Sequence, residues 1–124
     1  MTTTEAKAVM TAATDRINQV YKTLSTAIVQ ANTPTQMAAA FNSVDSLFQQ
    51  YLDTLESHSW PETASSDVQQ AVADLKVEFS DLKALGRDPG SQSLTNTFVQ
   101  ESGVAHAQLD KARHDLGLPS LPPL

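Results

Sequence analysis

Apolar residues recur at steps of three and four along almost the whole chain, and the recurrence breaks only around Pro34, Pro61 and Pro89 and at the closing Gly117. Such steps gather apolar side chains on one stripe of an α-helix, whereas a half-buried strand alternates with a period of two. A proline cannot continue the helix before it but fits the first turn of the helix after it. The chain is therefore predicted to be all-α, with amphipathic helices over about residues 4–31, 34–57, 62–86 and 89–116. Short connections place successive helices side by side, so residues 1–117 are expected to form an antiparallel, up-down-up-down four-helix bundle. The rival is a pair of longer helices that dimerise to complete the core.

The punctuation is specific. Asn32-Thr33-Pro34 ends the first helix and opens the second, with Thr33 as cap and Gln36 completing a capping box. The second segment carries the largest side chains on its seam (Met37, Phe41, Val44, Phe48, Tyr51, Leu52 and Leu55) and should be the most buried. The central break, His58-Ser59-Trp60-Pro61-Glu62, holds the only tryptophan, and either Ser59 or Ser66 can cap the helix that follows. That third segment buries Val68, Ala71, Val72, Leu75, Phe79, Leu82 and Leu85, with Asp67, Asp74, Lys76, Glu78, Asp81 and Lys83 assigned mostly to its other faces and Gly86 to its end. Asp88-Pro89 reads as the cap of the fourth, with a start as late as Ser93 as the variant. Ser102 and Gly103 weaken the fourth seam, which makes it the least stable helix. The proline-rich tail over residues 118–124 carries leucines that either fold back on the bundle or stay mobile.

Composition narrows the partners. With a net charge of −6, and no basic residue between Lys22 and Lys76, the chain lacks the clustered cations that nucleic acid requires. The absence of cysteine removes disulfides, thiolate metal sites and thiol nucleophiles. No run of about 18 apolar residues is present to span a bilayer.

Chemistry-bearing residues are sparse. His106, Asp110 and His114 fall at steps of four on one helical stripe, where adjacent members can share a divalent metal. The two histidines lie about 12 Å apart along the axis and cannot both bind one ion. Met10 and His106 form an alternative pair, axial ligands for haem, if the first and fourth helices place them at similar heights. The ordinary readings are a core methionine and a solvated helix flank. Trp60 reads as a plug over the end of the bundle, or with Glu62 as an anchor for a protein partner. There are no Glu-x-x-His pairs for a di-metal site, no cluster of arginines for a dicarboxylate, and no strand-to-helix elbow for a hydrolase nucleophile. No enzymatic activity is expected.

Trp60-Pro61 followed by Asp67-Val68 and Val72, the Asp88-Pro89 opening, and the ending Ala112-Arg113-His114-Asp115-Leu116-Gly117-Leu118-Pro119 carry a resemblance. Over roughly residues 55–120 the chain resembles the helical extracytoplasmic domains of small actinobacterial lipoproteins and secreted proteins. That resemblance implies a helical fold and a location outside the cytoplasm, with an export signal or lipid anchor upstream; the expected role is a non-enzymatic module that binds a protein partner or small ligand through the acidic central region or the end holding Trp60.

Overall fold

A computed structural model describes residues 1–123, which are α-helical apart from turns and tail: α1 (Thr3–Gln30), α2 (Pro34–Asn42), α3 (Asp45–Glu56), α4 (Glu62–Arg87) and α5 (Gln92–Asp115). α2 and α3 together form one rod, so the molecule is a bundle of four helical rods. None of the helices is long and apolar enough to cross a membrane.

α1 begins where the Thr2 side chain accepts a hydrogen bond from the Glu5 amide at 3.1 Å. Its three-four stripe of Ala6, Met10, Ala13, Ile17, Val20 and Leu24 is buried throughout. Thr33 caps α2 as expected, accepting from the Gln36 amide at 3.1 Å, but Gln36 reaches back to the amide of Asn32 at 2.7 Å rather than to that of Thr33. The connection thereby satisfies one amide in the first turn of α2 and one in the turn that precedes it.

The second rod departs from the single helix expected over 34–57. It breaks at Ser43-Val44, where the Ser43 hydroxyl donates to the Ala40 carbonyl at 2.7 Å and Val44 has left helical geometry at φ −105° and ψ 1°. A serine hydroxyl that competes for backbone partners offers the chain an alternative to the helical ladder. The apolar seam runs through the break unchanged, with Phe41, Val44 and Phe48 all buried.

Neither Ser59 nor Ser66 caps α4: Pro61 occupies the cap position with no side-chain hydrogen bond. Gly86 does not end α4 either, since the helix continues to Arg87. A Cβ at Gly86 would lie 2.0 Å from Oδ1 of Asn42, so glycine there lets α2 approach closely. Asp88-Pro89 belongs to the turn, and α5 starts from Ser91, whose side chain accepts from the Leu94 amide at 3.2 Å. Gly117 ends α5 as expected: with φ +76° it lets the Leu118 amide reach the Arg113 carbonyl at 2.9 Å and its own amide reach the His114 carbonyl at 2.9 Å.

Residue pairings give the directions of the rods. Phe48 stacks on Phe79 with ring centroids 4.8 Å apart, Glu56 bridges Lys76 at 3.0 Å, and Asn42 lies beside Gly86, so α4 runs antiparallel to the second rod. The Gln108 side chain donates to Oδ1 of Asp67 at 3.0 Å and Arg113 to Thr14 at 2.7 Å, which ties the end of α5 to the starts of α4 and α1. α5 packs along α4, and α1 packs on the second rod. Between α1 and α5 the packing is thin, and the first half of α5 sits shallow, with Leu94 and Phe98 only partly buried.

Gly103 lies exposed in the middle of α5, and a Cβ there would meet nothing within 4 Å. Gly103→Ala should therefore stabilise the fold by about 0.5–1 kcal/mol, the helix-propensity difference, as read by urea denaturation.

Candidate functional site

Most of the core is aliphatic, but four buried residues are polar or charged: Thr14, Glu78, Ser102 and Arg113. Glu78 is completely buried, contrary to its assignment to a polar face of the third segment. Its position on α4 explains this, since the buried stripe steps from Ala71 through Leu75, Glu78 and Leu82 to Leu85, and the carboxyl stands where a leucine would fit the spacing.

Its environment was assembled from three rods. The Tyr21 hydroxyl of α1 donates to Oε1 of Glu78, and Ser102 of α5 lies beside both, its own hydroxyl donating to the Phe98 carbonyl at 2.8 Å. Tyr51 of α3 is likewise completely buried, and neither its hydroxyl nor Oε2 of Glu78 has a hydrogen-bond partner among the described residues. Buried polar atoms without partners are uncommon because each costs about 1–3 kcal/mol.

Burial pushes the Glu78 carboxyl above the usual glutamate range. The hydrogen bond from Tyr21 and the nearby Ser102 hydroxyl work the other way, and the negative charges of Glu101 and Asp81 add to the rise. Burial also pushes both phenols up, and the nearby Glu78 charge reinforces each shift. The cluster therefore favours neutral side chains: protonated phenols around a carboxyl that resists losing its proton.

Tyr21 and Ser102 open onto a groove between α1 and α5. It encloses about 700 Å³ and is lined from α1 by Asn18, Leu24 and Ile28 and from α5 by Phe98, Val99 and Gly103, with Pro123 of the tail at its edge. Small residues explain the opening. Where two packed helices would interdigitate large side chains, α5 presents Ser102 and Gly103, and α1 presents the hydroxyl end of Tyr21.

The residues singled out from the sequence lie elsewhere. His106 is half-buried and His114 exposed, and the Asp110 carboxylate between them accepts the Leu121 amide at 2.8 Å. Among the described residues no three His, Cys, Asp or Glu side chains gather as a metal group. Met10 and His106 are not at similar heights. With Thr14 and Arg113 taken as level they stand about 16 Å apart along the bundle, and with Tyr21 and Ser102 taken as level about 10 Å apart.

Trp60 is half-buried against the core, and its indole N–H donates to the Leu55 carbonyl at 2.8 Å, satisfying an acceptor at the end of α3. It borders a cleft of about 500 Å³ with His58, Glu56 and Val72, while Glu62 is exposed and does not line that cleft. Compared with protein-family models, with curated proteins and with solved structures, the chain finds no match.

The Glu78 carboxyl makes a signed contribution to stability. With its folded value raised, the native state keeps a proton that the unfolded chain releases at ordinary glutamate acidity. Stability from this group is full below that range and falls as pH rises toward the folded value. Glu78→Gln keeps the shape and an acceptor for Tyr21 but carries no charge. Urea denaturation at pH 4 and pH 7 should show the variant gaining on the parent as pH rises, by about 1.4 kcal/mol for each unit of the shift. A gain for the parent at pH 7 would mean that the carboxylate is better satisfied than this geometry allows.

Proposed function

We propose that the chain is a non-enzymatic binding module whose groove between α1 and α5 takes a small, uncharged amphipathic molecule. Its apolar body would lie along Leu24, Ile28, Phe98 and Val99, and its hydrogen-bonding head against Tyr21 and Ser102. One observation carries the reading: the largely apolar groove opens directly over the hydrogen-bonded cluster that contains the completely buried carboxyl. A concave apolar surface with a few convergent polar groups is the usual form of a small-molecule site.

Charge selects the class of ligand. An anionic head would approach Glu78 and Glu101 inside a chain of net charge −6 and be repelled. A cationic head would have to lose its hydration in a largely apolar groove whose polar contacts, Tyr21 and Ser102, carry no charge. A hydroxyl or secondary amine meets neither cost and can exchange hydrogen bonds with the tyrosine and the serine. The buried position of Glu78 and its bond to Tyr21 support binding rather than turnover. A location outside the cytoplasm, with an anchor upstream, belongs to the same proposal and rests on the resemblance over residues 55–120.

N-phenyl-1-naphthylamine, neutral and apolar with one N–H, is a suitable probe. Its fluorescence should rise saturably with the parent protein. Because Gly103 lines the groove with free space around it, Gly103→Trp should fill the site and weaken binding at least about tenfold while the helix stays folded by circular dichroism. Equal binding by parent and variant would remove the groove from consideration.

A further inference from the structure

The C-terminal tail does not leave the bundle. After Gly117 turns the chain, Arg113 holds it from below: the guanidinium Nε donates to the Pro119 carbonyl at 3.2 Å while Nη1 donates to Thr14 of α1 at 2.7 Å. The same side chain thus ties tail, α5 and α1 together, and the tail begins along the seam between the two helices. Asp110 then accepts the Leu121 amide at 2.8 Å, one turn closer to the groove. Pro123 then lines the groove that Tyr21 and Ser102 also border. Leu118 and Leu121 pack against the hydrophobic core along the way.

The tail therefore supplies part of the groove's wall. Its helical walls run from Asn18 to Ile28 on α1 and from Phe98 to Gly103 on α5, and Leu121, two residues before Pro123, packs on the core. That part of the wall is tail rather than helix, and its attachment is slight. It consists of one carboxylate–amide hydrogen bond, one guanidinium–carbonyl hydrogen bond, and two leucines that stay partly exposed. Segments held by few buried contacts open at lower free energy than the helices beneath them.

We infer that residues 119–123 form a displaceable strap that competes with ligand for the part of the groove that Pro123 lines, so that binding lifts the tail from Asp110. The inference rests on the groove reading above and adds its regulation. A ligand that needs the covered part binds only the fraction of molecules with the strap lifted, and its apparent affinity falls by that fraction. Anything that weakens the strap should tighten binding, and ligand should in turn free the strap, because coupling between two binding events is reciprocal.

Leu121→Ala loosens the strap without touching groove-lining residues. With N-phenyl-1-naphthylamine as probe, the variant is expected to bind about tenfold more tightly than the parent. In the parent, saturating probe should speed hydrogen exchange at the Leu121 amide and leave the Leu118 amide, which belongs to the helix end, unchanged. Equal affinity in parent and variant, with unaltered exchange at Leu121, would overturn the strap while leaving the groove in place. Absence of probe binding in both proteins would overturn the groove reading and the strap with it.

Discussion

A carboxyl with no exposed surface must find partners inside the protein, and this requirement organises the bundle around Glu78. α4 brings the group inward because it occupies a core position of the helical period. α1 answers with the Tyr21 hydroxyl, α5 with Ser102, and α3 places the Tyr51 phenol in the same field. A leucine at position 78 would satisfy the spacing of α4 and ask nothing of its neighbours. The carboxyl instead draws a tyrosine from one rod and a small polar residue from another into one level of the bundle. Arg113 makes a similar demand nearer the chain termini, where Thr14 and the Pro119 carbonyl meet it.

The groove is the packing consequence. Ser102 sits by the buried carboxyl and Gly103 follows it, so the face of α5 toward α1 has little side-chain volume at this level. Large residues on either helix would close the gap. Instead the gap stays open, and the tail supplies part of its wall. Polar floor, apolar walls and movable edge therefore share a cause, the small residues that accommodate a buried polar cluster between two helices that do not interdigitate.

Much of the architecture could be read from spacing and punctuation. The stripe of α1, the turn at Asn32-Thr33-Pro34 and the Gly117 ending all follow from local rules of capping and backbone geometry. The break at Ser43 escaped because it carries neither proline nor glycine and leaves the apolar seam in phase. Gly86 carries the usual signature of a helix end but serves a close approach by α2, which depends on contacts distant in sequence. The site was less legible. Charge argued for placing Glu78 outward, although its steps of three from Leu75 and four to Leu82 already matched the buried stripe, and that conflict was the available signal. Ser102 and Gly103 stood out as weaknesses in a seam, and their role is visible only once Tyr21 lies opposite. Histidines and a tryptophan attracted attention by residue type, whereas the groove is built from residues that carry no chemical signature.

The most direct measurement is a map of amide chemical-shift changes by heteronuclear NMR as N-phenyl-1-naphthylamine is added to the intact protein. The changes are expected to centre on Tyr21, Leu24, Ile28, Phe98, Ser102 and Gly103, spreading to the Leu121 amide in the tail. Changes confined to the cleft around His58, Trp60 and Val72, or no saturable change at all, would contradict it.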